Sequence, residues 1–248
     1  QGGQINPVAQ SLDITNVLGR SNLNGAIYGD LKVLKDLTLR SELNGDFNYS
    51  AARVFVPTYQ YGIYGNATAR LQEYNANTNF WGWKEYLTYN HTFNKKHNLT
   101  ALLGYEVNES TWGGTDASVQ KFLSNDLQTL GLGDLKTAII GEYKDSQSLE
   151  SFFARGIYTY NSKYSITATI RSDKSSKFVQ GKQTGSFPAF AASWRVSDEA
   201  FMSGVKDIAD NIKLRVGYGE VGNQNLLNYQ YGSALTPVVT GLGTGFAI

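Results

Sequence analysis

The sequence predicts an all-β protein, and more narrowly an antiparallel transmembrane β-barrel with short turns on one side and long loops on the other. Three observations support this fold class. The strand segments alternate between apolar and polar residues, short and long connections follow one another in turn, and aromatic residues gather at strand ends. A long strand with one apolar face and one wettable face is what a barrel in a bilayer requires.

The clearest strand runs from Leu37 to Tyr49. Apolar, small or aromatic residues occupy every second position, and polar or charged residues occupy the positions between them. Period two is the signature of a β-strand with two unlike faces. A tilted strand needs about 9–11 residues to cross a bilayer, and this one is long enough. Because Arg40, Glu42 and Asp46 share the polar face, that face must meet water.

The same alternation recurs along the chain. Further strands are predicted at Leu23–Val33, Phe80–Phe93, His97–Asn108, Leu149–Tyr160, Tyr164–Asp173, Ser186–Val196 and Ile212–Gly219, and a ninth is predicted to begin near Asn228.

The predicted connections are sorted by length. Leu34–Asp36, Asn94–Lys96 and Asn161–Ser162 are tight turns, whereas the segments between them are long: Ser50–Asn79, Glu109–Ser148 and Lys174–Gly185. Outer-membrane barrels have short periplasmic turns and long outer loops, which is the same arrangement.

One connection breaks this order. Ser197–Asn211 falls on the short side but is longer than the other turns, and Ser197 is predicted to cap a small helix through residues 198–202.

Aromatic residues at the predicted strand ends are typical of the girdles of membrane barrels. The alternative is that aromatic residues are simply good strand formers. The residues concerned are Tyr49, Tyr105, Tyr158, Tyr160, Tyr164, Trp194 and Tyr218.

Composition argues against several classes of protein. The net charge of +1 gives no sign of the basic surface that binds nucleic acid, and the absence of Cys excludes disulfides and thiolate metal sites.

Two motifs have simple structural interpretations. His91 and His97 flank one turn, and they are predicted to be solvent-exposed residues of a hairpin rather than metal ligands. Gly217–Gly222 fits G-x-G-x-x-G, but a charged strand precedes it, so the glycines are predicted to relieve crowding. We expect no cofactor, no metal and no enzymatic activity.

Five segments within residues 96–224 carry a specific set of motifs: Lys96–Glu106, Ser151–Tyr164, Arg171–Phe178, Phe187–Glu199 and Leu214–Gln224. Taken in order, they resemble the SusC/RagA-like branch of the TonB-dependent outer-membrane transporters. Residues 1–95 match this family only in pattern, with Asn6-Pro7-Val8 as the best local similarity. Lys174 departs from the family's usual Gly, so the turn after Asp173 is expected to be built differently.

The resemblance implies that residues 1–248 are a middle piece of a barrel of about 22 strands. About eight or nine strands would be present, without the plug domain and the C-terminal strands. It further implies uptake of oligosaccharides or peptides across a bacterial outer membrane, beside lipid. The implied partners are a SusD-like surface lipoprotein and, through the plug, the TonB complex.

Two groups of residues are candidates for contact with solute. Arg155, Arg171 and Asp173 lie on polar strand faces, where the simpler interpretation is a charged network lining the lumen. Tyr59, Tyr61 and Trp112 lie in predicted long loops, where the alternatives are loop packing or contact with a partner lid.

Two other functions remain open from the sequence. An eight-stranded, self-contained outer-membrane barrel would act as an adhesin or anchor. A soluble β-sandwich that binds glycans would need its apolar faces to pack against a second sheet.

Overall fold

The computed structural model describes residue 8 and residues 13–205, 208, 210–230, 232, 236–240 and 243–247. Asn6 and Pro7 of the local family match lie outside these residues. Twelve strands are described: β1 (Thr15–Leu34), β2 (Leu37–Val56), β3 (Tyr59–Tyr61), β4 (Tyr64–Asn66), β5 (Arg70–Phe93), β6 (His97–Gln120), β7 (Asp134–Tyr160), β8 (Tyr164–Ser175), β9 (Thr184–Arg195), β10 (Lys213–Gly219), β11 (Thr236–Thr240) and β12 (Gly243–Ala247).

Eight of these strands form one sheet in the order β1-β2-β5-β6-β7-β8-β9-β10. Strands β7 to β10 pair antiparallel with their sheet neighbours. The predicted all-β barrel fold class is therefore confirmed, and all eight predicted strands are present. Strands β1 and β10 do not pair within the described residues, so these strands do not close a small barrel of their own. No second sheet of similar size lies in that part of the chain, which removes the main support for a sandwich.

The strands are longer than the alternation indicates. Strands β5 and β6 each have 24 residues and β7 has 27, so large parts of the predicted long loops are strand. The remaining connections are residues 57–69, 121–133 and 176–183, and the first of them contains the β3–β4 hairpin. The prediction of the loop boundaries was wrong because alternation marks only the stretch where one face is apolar. Backbone pairing between strands continues where the strict alternation is lost, as at Ala138-Ile139-Ile140 of β7.

Tight turns join β5 to β6 and β7 to β8. In the first turn Asn94 and Lys95 have φ of 48° and 57°, and in the second Asn161 and Ser162 have φ of 50° and 56°. Positive φ at two successive turn residues gives a backbone twist that matches the right-handed twist of the flanking strands. Each turn is closed by a backbone hydrogen bond, for example from Lys96 N to Phe93 O at 3.1 Å.

The helices are short. Within the ranges that the structure describes, three 3-10 helices lie at Leu130–Leu132, Val196–Asp198 and Ala200–Val205. No helix in the described part of the chain is long and apolar enough to cross a membrane. A strand was predicted to begin near Asn228, but residues 228–230 form a turn, and the next strand of the described residues begins at Thr236.

The chain forms two compact units. The first comprises Gln1–Gly25, Gly45–Phe80 and Ser110–Ser146, and the second comprises the remaining ranges, Ala26–Asn44, Trp81–Glu109 and Gln147–Ile248.

The first unit has a small apolar core at the ends of three strands. Phe55, Ala69, Leu71 and Val119 are each at most 1% exposed. Phe122 packs edge-on against Phe55, with ring centroids 5.5 Å apart. Phe122 therefore packs the connection after β6 onto this core.

The second unit leaves one face of its sheet apolar and open. Large apolar side chains at alternate positions of β6 to β10 are between 45% and 72% exposed. Burial of apolar side chains is the rule in water, so a contiguous exposed set marks a surface that meets another apolar phase. These residues are Leu103, Phe152, Ile166, Ile170, Phe190, Leu214 and Val216.

The long connection between β9 and β10 is fixed to this unit by Glu199. Its carboxylate accepts hydrogen bonds from Tyr164 Oη at 2.5 Å, Trp194 Nε1 at 3.1 Å and Lys163 Nζ at 3.3 Å. The hydrogen bond from Tyr164, followed by that from Trp194, holds the pKa of Glu199 below its usual value. Ser197 does not cap a helix as predicted, because it lies inside the 3-10 helix Val196–Asp198 and is buried.

Replacing Leu71 with Ala is expected to lower the unfolding free energy of the native polypeptide by about 2–5 kcal/mol, because the side chain is fully buried. Urea unfolding followed by circular dichroism measures this. Leu123→Ala is the matched control, since Leu123 is 95% exposed and its loss should cost under about 0.5 kcal/mol. Equal effects of the two variants would contradict the assigned core.

Candidate functional site

The strongest polar cluster of the second unit is built around Arg171 on β8. Its Nε donates to Asp173 Oδ1 at 2.6 Å, and one terminal nitrogen donates to Ser151 Oγ at 2.8 Å and Glu106 Oε2 at 3.3 Å. Ser151 is fully buried, so its hydroxyl is available only to the cluster. The guanidinium therefore joins strands β6, β7 and β8 on the polar face of the sheet.

Glu106 extends the cluster to a fourth strand. Its second oxygen accepts a hydrogen bond from Tyr86 Oη at 2.8 Å, so this carboxylate bridges β5 and β8. One guanidinium thus pairs with two carboxylates, so the cluster carries more negative than positive charge. The carboxylate oxygens can also accept further hydrogen bonds. The cluster is suited to bind hydroxyl, amide or ammonium donors.

An aromatic ring forms one wall of the cluster. The Arg171 guanidinium carbon lies 5.3 Å from the centre of the Phe153 ring, which is a cation–π arrangement. Phe153 is directly opposite Arg171 in the β7–β8 register. A Cβ added at Gly104 would lie 2.1 Å from this ring, so only glycine leaves room for it.

The structure brings together two of the three strand residues predicted from the sequence. Arg171 and Asp173 are hydrogen-bonded, whereas Arg155 donates to Thr169 Oγ1 at 3.3 Å. Lys174, which departs from the family pattern, continues β8 and lies 3.8 Å from Glu150 as an ion pair.

A cleft of about 190 Å³ lies at the end of β8 that carries Asp173. The Phe187 ring is packed so closely that a Cβ at Gly222 would lie 2.4 Å from it and one at Gly185 would lie 2.7 Å from it. This combination of acidic, basic, amide and aromatic groups is typical of a site for a polar solute. Its lining includes Asp173, Phe178, Lys182, Phe187, Asn223 and Gln224.

The aromatic candidates of the first unit lie in different places. Tyr59 and Tyr61 stack with centroids 5.2 Å apart on β3, and Tyr61 donates a hydrogen bond to Asp13. The prediction that Trp112 lies in a loop was wrong, since it belongs to β6. It contributes to a groove of about 360 Å³ that Tyr49 also lines.

Two tyrosines are paired in the first unit. The hydroxyl oxygens of Tyr74 and Tyr143 lie 2.9 Å apart. This hydrogen bond, together with desolvation, raises the pKa of Tyr74 above its ordinary value. The Tyr74 phenol therefore presents a hydroxyl group rather than a charge.

The remaining motifs have local structural roles. His91 Nδ1 lies 2.7 Å from Asp36 Oδ2, and His97 Nδ1 lies 2.6 Å from Tyr158 Oη. Among the described residues, no three or more His, Asp or Glu side chains are grouped to hold a metal ion. The prediction that the glycine motif relieves crowding is confirmed at Gly219, whose added Cβ would lie 3.1 Å from Ala189 Cβ.

Sequence reasoning did not assign Tyr86, Glu106 or Ser151 to the cluster. A usable signal existed for Ser151, because the tight turn after Tyr160 sets a register in which Ser151 faces Asp173. Tyr86 and Glu106 are joined to Arg171 across further strands, so turn length alone does not identify them.

Comparison with known proteins places the chain among related sequences. Residues 3–247 match the family model described as TonB dependent receptor-like, beta-barrel. A TonB-dependent receptor of Formosa agariphila is 31% identical over 239 residues, which cover 91% of this chain and 23% of the relative. The TonB-dependent receptor SusC of Bacteroides thetaiotaomicron is 28% identical over 235 residues, covering 89% and 21%.

A solved structure of the RagAB peptide transporter matches with a TM-score of 0.87 at 20% identity. The match covers 96% of this chain and 26% of that one, and it supports the fold. The chain spans about a fifth to a quarter of the length of these relatives.

Gly104→Ala is expected to destabilise the native polypeptide by about 1–3 kcal/mol, because the new methyl group overlaps the Phe153 ring. Phe153→Leu in the same chain should recover part of this loss, and a double-mutant cycle from urea unfolding measures the coupling.

Gly156→Ala is the control for this cycle, since an added Cβ there meets nothing within 4 Å. Equal destabilisation by the two Gly→Ala variants, or no coupling with Phe153→Leu, would contradict the close contact.

Proposed function

The chain belongs to the TonB dependent receptor-like β-barrel family, and we propose that it forms part of the wall of an outer-membrane importer of bulky nutrients. Its apolar sheet face would meet lipid, and its polar face would line the interior. The protein would reside in the outer membrane of a Gram-negative bacterium.

One observation carries the proposal. In the second unit a single sheet separates an open apolar face from a polar face on which Arg171, Glu106 and Asp173 are ion-paired. Exposure of Phe152, Ile166 and Phe190 to water is unfavourable, whereas contact with the hydrocarbon of a bilayer removes their apolar surface from water.

The proposed mechanism involves binding and gating rather than covalent chemistry. Solute binds to outer loops and the polar interior, a surface lid closes over it, and force on a plug opens the path. Arg171 and Asp173 would act either on the solute directly or on the plug segment that passes them. Tyr59, Tyr61 and Trp112 would act at the outer mouth, where aromatic rings stack on sugars and on peptide side chains.

The proposed partners follow from the family. A SusD-like surface lipoprotein would supply the lid, and the TonB complex would supply energy through the plug. The similarity to SusC and to the structure of the RagAB transporter supports this assembly.

The proposed cargo is an oligosaccharide or a peptide. The excess of acceptor oxygens around Arg171 favours a solute rich in N–H or O–H donors, and both classes meet this requirement. The RagAB structure is that of a peptide transporter, which favours peptides as the first class to test.

The proposed function is tested by deleting the gene and comparing growth on oligosaccharides and on peptides as sole nutrients. We expect growth to fail on one class and to return on complementation. Normal growth of the deletion strain on every polymer that the parent strain uses would contradict a role as importer.

Arg171→Ala and Asp173→Ala are expected to lower uptake several-fold, because each removes a charged hydrogen bond from the polar cluster. Arg155→Ala is the matched control, since Arg155 bonds to Thr169 rather than to a carboxylate, and it should have a smaller effect.

Uptake of labelled solute is measured in cells with equal amounts of folded protein in the outer membrane. Equal uptake by all three variants and the parent would remove the cluster from the transport path.

A further inference from the structure

The connection between β9 and β10 begins beside a row of aromatic rings. Tyr160, Tyr164 and Trp194 are direct neighbours across β7, β8 and β9. Their rings are stacked, with centroids 6.4 Å and 6.5 Å apart and interplanar angles of 21° and 12°. Tyr164 and Trp194 alternate with Ser165 and Ser193, so the row lies on the same face as Ile166 and Ala192.

Phe201 extends this row out of the sheet. Its ring lies 6.4 Å from Trp194 in an edge-to-face arrangement, yet 68% of the residue remains exposed. Because Trp194 is on the apolar face, Phe201 is on the outward side of the sheet edge. Exposure of a large apolar ring to water is unfavourable, so an exposed ring beside the apolar face indicates contact with another apolar phase.

Glu199 fixes the position of Phe201. It accepts the polar hydrogens of both outward aromatic residues, Tyr164 Oη–H and Trp194 Nε1–H, and the Lys163 ammonium binds its other oxygen. A second attachment is the hydrogen bond from Ser197 N to Ile212 O at 3.3 Å. The connection is therefore tied to the strand ends on both sides.

We propose that the 3-10 helix Ala200–Val205 is a membrane-surface anchor whose Phe201 ring inserts into the interfacial layer of the phospholipid leaflet at the short-turn side of the sheet. The anchor is continuous with the apolar face, and this proposal rests on the membrane placement under the proposed function. Aromatic side chains are favoured at that depth of a bilayer. The anchor accounts for a connection longer than the other turns on its side, since a two-residue turn carries no apolar ring to the lipid.

The anchor differs from the aromatic girdle of the strands in how its polar groups are satisfied. A girdle Tyr or Trp normally directs its polar atom to lipid headgroups or water. Tyr164 and Trp194 instead donate to Glu199, so the protein supplies the polar partner and the connection is drawn against the lipid-facing rings.

The test is spin labelling of the full-length transporter in phosphatidylethanolamine and phosphatidylglycerol vesicles, with any natural cysteines replaced. Phe201→Cys carries the label, and its collision rates with oxygen and with a water-soluble nickel chelate report its depth. Phe190→Cys marks the lipid-facing sheet, and Ser203→Cys marks an exposed polar position of the same 3-10 helix.

We expect the ratio of the oxygen collision rate to the nickel collision rate to be several-fold higher for the label at Phe201 than for the label at Ser203. The ratio at Phe201 should lie between the ratios at Ser203 and Phe190. A Phe201 label as accessible to nickel as Ser203, with Phe190 in lipid, would overturn the anchor alone. A label inaccessible to both reagents would indicate a protein partner and overturn it as well. An aqueous Phe190 label would instead overturn the membrane placement itself.

Glu199→Ala tests the tether in the same labelled protein. Without the carboxylate, Tyr164 and Trp194 no longer hold the connection, so nickel accessibility at the Phe201 label should rise while that at Phe190 stays unchanged. No change at the Phe201 label would show that Glu199 does not position the anchor.

Discussion

The structure depends on one constraint. Backbone hydrogen bonds must form between neighbouring strands, while one face of the sheet is apolar and the other is polar. Pairing fixes the register, and the register decides which side chains share a face. Arg171 reaches Ser151 because β7 and β8 are paired in the register set by their turn. Lateral pairing also places Tyr160, Tyr164 and Trp194 in one row.

The sequence predicted the parts of the fold where the two faces differ. All eight strands of the main sheet were found, and the tight turns at residues 94–96 and 161–163 were placed correctly. The extensions of β5, β6 and β7 were not found, because apolar and polar residues do not alternate strictly there and leave no period-two hydrophobic signal. Trp112 was assigned to a loop for this reason, although it lies within β6.

The candidate site was predictable only in part, because some of its contacts join strands that are not consecutive. Arg171 and Asp173 share a strand face two residues apart, which the sequence shows directly. Their link to Glu106 depends on strand neighbours two strands away and on the space that Gly104 leaves for Phe153. A glycine in a strand indicates close approach, but it does not identify the ring that approaches.

The two tight turns limit where such a protein can change. Asn94-Lys95 and Asn161-Ser162 have left-handed backbone conformations that suit two-residue reversals, so an inserted residue would disturb the register of both flanking strands. The connections at the opposite strand ends are longer than two-residue reversals, as residues 176–183 show. Insertions and deletions should therefore accumulate in the long connections and not in the tight turns. In evolution, the protein should then vary in length mainly at one end of its strands.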